Sequence, residues 1–271
     1  MQVVRPKSPF GAQLRSHRQA RSLSQERLAD AAEVSTRHLS CLETGRASPS
    51  REMVLVLASA LELPLRERNV LLGSAGFSAE YAETRLDASG MRDLDRAIGH
   101  LLTKLEPYPA IVVDRRWNIL KTNASAARFL PLLLPPDAPM EVATNALRAL
   151  LDPRGARPYI ANWAEVVASL VERTKIELAR EPDERVRRAR YEELLAYPGV
   201  REATRSALHA GPPLPFVPVH IRRDAIDARF FTMLTTIGTP LDVTAEELRI
   251  EAYFPADEAT KLLMEQMAAA S

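Results

Sequence analysis

Hydrophobic residues in the first 76 positions recur at spacings of three and four in five short runs, a pattern typical of amphipathic α-helices. Leu39 and Leu42 mark the third run. Serine, a common residue at helix N-termini, precedes the second and third runs at Ser24 and Ser35. The pattern predicts an all-α domain of five helices over residues 1–76.

The pattern changes after a polar stretch at residues 77–89. The next segment, 90–106, has the periodicity of one amphipathic helix. Residues 108–123 predict two strands that reverse at Asp114-Arg115-Arg116, because β-branched residues flank a polar turn. Asn123 is expected to start a short helix, and mainly helical segments continue to about residue 208.

A proline-rich break at residues 211–215 precedes the last part of the chain. Three strand candidates and a final helix follow it, at residues 216–222, 228–237, 248–254 and 257–267. Strands at both ends of a helical segment predict an antiparallel sheet with helices on one face. The fold class is therefore α+β, with domain boundaries expected at residues 1–76, 77–106 (linker and connecting helix) and 107–271.

Composition places the chain among ordinary globular proteins, with 46% hydrophobic and 26% charged residues in 271 positions. Its single cysteine, Cys41, excludes an intrachain disulfide and fits a reducing compartment. No segment approaches the roughly 20 apolar residues of a membrane span, and the first residues lack the apolar core of an export signal. These features predict a cytoplasmic protein with no membrane partner.

Charge is distributed unevenly along the chain. Residues 1–51 contain nine Lys or Arg against four Asp or Glu, so their net charge is +5. The net charge of the whole chain is +1, so the remaining residues sum to −4. A basic N-terminal part on a slightly acidic remainder indicates an end that faces a polyanion, although a chance fluctuation would give the same counts.

The third predicted helix has a polar face opposite its leucines. At about 100° per residue, Arg37 points away from the core, Ser40 and Cys41 flank it, and Thr36 lies at the rim. Such a helix fits the DNA major groove, where an arginine matches guanine O6 and N7. Gln25, at the start of the preceding helix, suits a phosphate or an adenine edge. These features predict binding to double-stranded DNA.

The stretch "LSQERLADAAEVSTRHLSCLETGRASPS" resembles the helix-turn-helix of the XRE/Cro-type, lambda-repressor-like regulators. The matching positions are Leu23, Ser24, Gln25, Leu28, Ala29, Val34, Ser35, Leu39, Ser40, Glu43, Gly45 and Pro49. Glu33 departs from the family, which usually has glycine in this turn. A residue other than glycine can adopt the left-handed conformation at some cost.

The resemblance also implies roles for particular residues. Gln25, Thr36, Arg37 and Cys41 fall where the family contacts bases or their surroundings, while Arg15, Ser35 and Arg46 fall where it contacts the DNA backbone. For Arg15 and Arg46 the alternative is a solvated surface charge, and for Cys41 a thiol that is merely tolerated.

Residues 77–271 show no catalytic pattern. The five histidines are scattered, and the sequence has no HExxH, CxxC or phosphate-binding glycine loop. We therefore expect neither an enzyme, nor a metal site, nor a cofactor beyond a bound hydrophobic ligand.

The C-terminal part resembles the ligand-binding domain of MmyB-like regulators, with a PAS-type opening. The stretches that carry this resemblance are "EPYPAIVVDRRWNILKTN", "LLAYPGV" and "GTPLDVTAEELRIEAYFPADEAT". The resemblance implies a cavity for a hydrophobic small molecule, with fatty acids as the suspected type.

Aromatic and aliphatic residues on predicted strands and helices could line such a cavity, or could equally fill a solid core. The candidates are Tyr108, Ile111, Trp117, Ile119, Phe129, Trp163, Phe216, Phe230 and Met233. Burial of roughly ten methylenes is worth about 8 kcal/mol, so apolar walls would set affinity. Arg222 or Arg229 would orient a polar head group, or would be solvated charges at strand ends.

Together these patterns predict a one-component bacterial regulator that binds a two-fold operator as a homodimer, because one short helix reads few base pairs. A hydrophobic effector would shift the equilibrium between two arrangements of the DNA-binding domains. The alternative is a C-terminal domain that only dimerises or docks a protein partner, without a small-molecule ligand.

Overall fold

The computed structural model describes residues 9–179, 181, 183–207 and 217–270. The described residues divide into two compact units. The first unit consists of Met1–Glu83 with Thr174–Tyr191 and Leu241–Glu246, and the second of Thr84–Arg173, Glu192–Pro240 and Glu247–Ser271, each within the described ranges.

Five helices form before residue 76, as the hydrophobic pattern predicts. They are α1 Pro9–Ala20, α2 Gln25–Ala31, α3 Thr36–Glu43, α4 Arg51–Ala60 and α5 Leu65–Ser74. The serine hydroxyls accept the expected capping bonds, from the amide of Arg27 to Ser24 and from that of His38 to Ser35. Gly73 lies inside α5, and the chain leaves the helix at Gly76 with φ +86°.

Leucines from these helices form one buried core, to which α1 contributes Phe10 and Leu14 and α3 contributes Leu39 and Leu42. Gly11 lets α1 approach the C-terminal end of α3. A Cβ at Gly11 would lie 2.5 Å from the Leu42 carbonyl oxygen and 2.6 Å from that of Glu43. The position of α3 therefore depends on a glycine in α1.

In the rest of the described chain, two strands precede a run of helices and three strands follow it. In chain order the helices are α6 Arg92–Lys104, α7 Ala124–Phe129, α8 Met140–Ala143, α9 Ala146–Leu151, α10 Trp163–Leu178, α11 Glu184–Leu195, α12 Val200–Ala207, α13 Val243–Glu247 and α14 Glu258–Ala269. The strands are β1 Ala110–Val113, β2 Ile119–Thr122, β3 Val219–Arg223, β4 Ile226–Thr236 and β5 Arg249–Pro255. No helix among the described residues is both long and apolar enough to cross a bilayer.

Within the described residues the strands form one antiparallel sheet with the order β2-β1-β5-β4-β3. The central strand is β5, and in its pairing with β1 Ala110 lies opposite Ala252 and Val112 opposite Ile250. Asn123 joins β1 to α7, since its side-chain oxygen accepts from the amides of Ala110 and Ala126. The predicted α+β class is confirmed.

The prediction that helices cover one face of this sheet was wrong. Ala110 and Val112 share a buried cluster with Ile98 and Leu102 of α6. Their neighbour Ile111 points the other way and clusters with Ala126 of α7 and with Val113. Buried residues follow one another without interruption along β1, which is typical of a strand covered on both faces.

Candidate DNA-binding surface and ligand cavity

The break between α2 and α3 is a left-handed turn. Glu33 has φ +53°, which confirms the conformation expected where the related helix-turn-helix proteins have glycine. The Val34 amide donates to the Ala29 carbonyl at 2.9 Å, so the chain re-enters the core directly after the turn. Ser35 then caps α3, which fixes the start of the exposed helix.

The outer face of α3 is polar and accessible. Ser35, Thr36 and Arg37 are exposed, and Ser40 and Cys41 are half-buried on its flank. The basic candidates outside this helix, Arg15 on α1 and Arg46 after it, are exposed as well. Arg46 Nε donates to Thr44 Oγ1 at 3.0 Å, which holds its side chain beside the end of α3. The structure thus places candidate residues on the exposed face of α3 and at its C-terminal end, and leaves Arg15 exposed on α1.

Gln25 is held in place by a buried ion pair that sequence reasoning missed. Its Nε2 donates to Glu43 Oε2 at 2.8 Å. Arg18 donates to the same carboxylate through Nε at 2.6 Å and Nη2 at 3.0 Å, and its Nη1 donates to the Leu23 carbonyl at 2.7 Å. This network joins α1, α2 and α3 and orients the Gln25 amide.

The second unit contains a cavity of about 220 Å³ between the β-sheet and the helices on one of its faces. Its walls are mostly aliphatic and aromatic, and α9, α10, β1 and β5 contribute to them. The lining includes Ile111, Trp117, Ile119, Ala146, Tyr159, Arg173, Thr232, Glu251 and Tyr253. The sequence left open whether these side chains enclose a cavity or fill a solid core, and the structure contains a cavity.

Three predicted pocket residues line this cavity, namely Ile111, Trp117 and Ile119. Trp117 has φ +65°, an uncommon conformation for a large side chain, and its backbone holds the reversal between β1 and β2. The Trp117 amide donates to the Asp114 carbonyl at 3.0 Å, so the turn is that expected at residues 114–116.

The other predicted pocket residues lie elsewhere. Tyr108, Phe129 and Phe230 pack in a hydrophobic cluster next to the cavity, where the Phe129 and Phe230 ring centroids are 5.5 Å apart, and none of the three is a lining residue. Trp163 is not among the lining residues, and its indole donates at 2.9 Å to the carbonyl of Leu150, which does line the cavity. Met233 is 54% exposed. Phe216 lies outside the described residues.

The arginines proposed to hold a ligand head group are on the surface instead. Arg222 Nε lies 3.6 Å from Asp227 Oδ2, and Arg229 Nη1 donates to Asp257 Oδ2 at 3.2 Å. Neither arginine is among the cavity-lining residues. Both have a carboxylate neighbour, in keeping with the alternative of surface charges at strand ends.

The charged groups of the cavity are Arg173 from α10 and Glu251 from β5, which sequence reasoning did not single out. Tyr253 Oη donates to Glu251 Oε2 at 3.1 Å. Burial raises the pKa of the Glu251 carboxyl, and the hydrogen bond from Tyr253 and the charge of Arg173 partly offset this rise. Burial also raises the pKa of Tyr253, so its phenol remains a donor.

The described residues contain no group of three His, Cys, Asp or Glu side chains that could hold a metal ion. The chemistry of the cavity is accordingly that of apolar walls with one small polar end. It can bury an aliphatic chain and can offer both donors and an acceptor to a head group.

Two family models match the chain. The model described as the MmyB-like transcription regulator ligand binding domain matches residues 94–267, which is more than half of the chain. The model described as a helix-turn-helix domain matches residues 9–71. Both resemblances inferred from the sequence are confirmed. No curated protein matches the chain.

Two solved structures are similar to part of this chain. The restriction-modification controller protein C.AhdI from Aeromonas hydrophila is 36% identical over 22% of this chain and 92% of its own, with a TM-score of 0.22. The clp gene regulator ClgR from C. glutamicum is 33% identical over 26% of this chain and 86% of its own, with a TM-score of 0.23. Both matches cover about a quarter of this chain.

Proposed function

The chain belongs to the MmyB-like transcription regulators, and from this membership we propose that it binds operator DNA as a homodimer and that a hydrophobic small molecule in its cavity controls this binding. The chain is a transcription regulator with a helix-turn-helix domain and a ligand-binding domain. Beyond this, we propose that the chain forms a homodimer, that it binds an operator, and that its ligand is a hydrophobic small molecule.

The exposed face of α3 supports the DNA-binding part of the proposal. The Arg37 guanidinium presents five N–H donors, and the small side chains beside it on α3 let the helix come close to a base. A bidentate contact to guanine requires such a close approach. A helix of eight residues can read only a few base pairs. Specificity then requires two copies on half-sites about 34–36 Å apart, one turn of the duplex.

The apolar cavity is the observation that carries the ligand-binding part. About 10–15 Å³ of such volume holds one water-sized group, so about 220 Å³ has room for a chain of ten or more carbons. At about 0.8 kcal/mol for each methylene, a buried chain of this length gives several kcal/mol of binding free energy. A fatty acid, the ligand type that the family resemblance implies, has a chain of this kind.

We also assign no catalysis to this domain. The described lining of the cavity contains no histidine, cysteine or lysine that could act as a nucleophile or general base at neutral pH. A ligand would act by binding one arrangement of the dimer more tightly than another.

Extraction of the purified full chain with organic solvent, followed by mass spectrometry, tests the ligand. We expect an amphiphilic compound at close to one equivalent per chain. Ala146→Phe, which places a ring in the cavity, should lower the yield at least fivefold. Ala164→Phe, at an exposed position of α10, should leave it unchanged. A clean extract from the folded wild-type protein would favour a ligand-free dimerisation or docking domain.

A further inference from the structure

The cavity contains a pair of opposite charges of its own. Arg173 and Glu251 both line it, and the guanidinium lies close enough to favour the ionised carboxylate. Among the described residues of the lining, no other side chain is charged at neutral pH. The other polar lining groups, such as Tyr159, Thr232 and Tyr253, are neutral. With the Glu251 carboxylate ionised beside Arg173, the polar end of the cavity is close to electrically neutral before a ligand enters.

A ligand carboxylate would upset this balance. It would compete with Glu251 for Arg173 and would bring a second negative charge to the same end of the cavity. Two carboxylates that share one buried site do not both ionise, because their repulsion is strong where water is excluded. One proton must then be taken up for each carboxylate ligand bound. A hydroxyl or amide head group needs no such proton.

We propose that the cavity selects amphiphiles in their uncharged form, namely an alcohol, an amide or a protonated fatty acid, with the head group at Arg173, Glu251 and Tyr253. This inference rests on the proposed function of the cavity as a hydrophobic ligand site, and it adds the charge state that the site accepts. The Glu251 carboxylate is the specificity-determining group, since it disfavours a second anion.

Other arginines lie near the lining, but among the described residues none besides Arg173 is part of it. Arg249, two residues before Glu251 on β5, lies 5.6 Å from the centroid of the Trp117 ring and outside the lining. Arg173 lies 5.4 Å from the same ring. The ring of another lining residue, Tyr159, is covered by Arg223, whose Cζ lies 4.2 Å from the ring centroid and which is not itself a lining residue. Among the described lining residues, Arg173 is therefore the one cation that can balance the negative charge of Glu251.

The raised pKa of Glu251 supports the same conclusion. Because burial raises its pKa, the carboxyl takes up a proton more readily than an exposed glutamate does. When a fatty acid is in the cavity, the shared proton can therefore lie on either carboxyl group. The two groups would titrate as a pair.

Calorimetric titrations of the full chain, freed of bound lipid, test this proposal. Decan-1-ol and decanoate have the same ten-carbon chain and differ in the charge of the head group. For the wild-type protein at pH 6, 7 and 8, we expect the affinity for decan-1-ol to stay within about twofold. The affinity for decanoate should fall by about tenfold per pH unit, because one proton is bound with each ligand.

Glu251→Gln removes the competing charge but keeps the size of the side chain. In this variant decanoate should bind Arg173 as the anion, at least tenfold more tightly than wild type at pH 8 and with little pH dependence. Glu258→Gln is the matched control, because Glu258 is an exposed residue of α14 whose partner is Lys261. It should reproduce the wild-type titrations.

Decanoate that binds the wild-type chain with a pH-independent affinity would overturn the selection of uncharged ligands while leaving the hydrophobic site intact. If neither ligand binds at pH 6, the proposed function of the cavity fails as well. Should Glu251→Gln not fold, the pH series on the wild-type protein decides by itself, since it needs no variant.

Discussion

Arg37 extends from the exposed side of α3, while Leu39 and Leu42 on the opposite side are fully buried. The leucines hold the helix, so the arginine is free to reach a partner without any change in the core. Its planar guanidinium matches a guanine edge more closely than a lysine would.

Arg37→Ala should weaken binding to a selected operator by about 1–3 kcal/mol and should affect random DNA much less, because the side chain is expected to read a base. Arg15→Ala, the comparison, should weaken both alike and lower the salt slope by about 1. Fluorescence anisotropy over a range of salt concentrations measures both. Equal losses for Arg37→Ala on operator and random DNA would argue against base reading.

His17 makes the stability of the first unit pH-dependent. Burial lowers its pKa from 6.5 to about 4, with a smaller contribution from Arg21, so the imidazole is neutral at pH 7 although Glu67 Oε2 lies 3.7 Å away. Between these two pKa values the unfolded chain binds the proton more tightly than the folded one. Stability should therefore fall by about 2 kcal/mol from pH 7 to pH 5.

Urea unfolding at the two pH values measures this loss. His17→Gln should flatten the pH dependence, whereas His100→Gln, at an exposed position of α6, should not. An NMR titration of the His17 ring with an unshifted midpoint would contradict the assignment.

Single residues also show where the sequence was insufficient. Met233 and Thr232 are neighbours on β4, yet Thr232 pairs with Tyr253 and lines the cavity, while Met233 pairs with Ala252 on the other face. A shift of one residue exchanges the faces of a strand. Hydrophobicity alone favoured Met233, because the sequence does not state which face of β4 is enclosed.

At the scale of elements, the close contact of α1 with α3 determines how α3, the helix proposed to read DNA, is presented. Gly11→Ala would place a methyl group 2.5 Å from the Leu42 carbonyl oxygen, so α3 or α1 must shift. We expect a loss of about 2–3 kcal/mol of stability and weaker DNA binding. Gly73→Ala on α5 meets nothing within 4 Å and should be neutral or slightly stabilising. Thermal unfolding of the two variants compares them, and equal melting temperatures would show that α1 does not approach α3 so closely.

Helices and strands were largely predictable because their signals are local. Periodic leucines, serine caps and the polar reversal at 114–116 each act over a few residues. The ligand site was not predictable in this way, since Arg173 and Glu251 come from α10 and β5 and meet only through the fold. The Arg18–Glu43 pair was missed for the same reason, because it joins residues of α1 and α3.

At the scale of the whole molecule, one chain combines a helix-turn-helix domain with a domain that encloses an apolar cavity. A cavity ligand can change operator affinity only by as much as its own affinity differs between two states of the protein. The coupling is reciprocal, so operator DNA should change ligand affinity by the same factor. Both consequences depend on DNA binding itself.

Selection from a random duplex pool at low salt, with wild-type protein and Arg37→Ala in parallel, tests DNA binding most directly. For the wild type we expect enrichment of an inverted repeat whose half-sites are about ten base pairs apart, and for Arg37→Ala retention of DNA without enrichment of that repeat. Failure of the folded wild-type protein to retain any duplex in dilute buffer would contradict a role in DNA recognition.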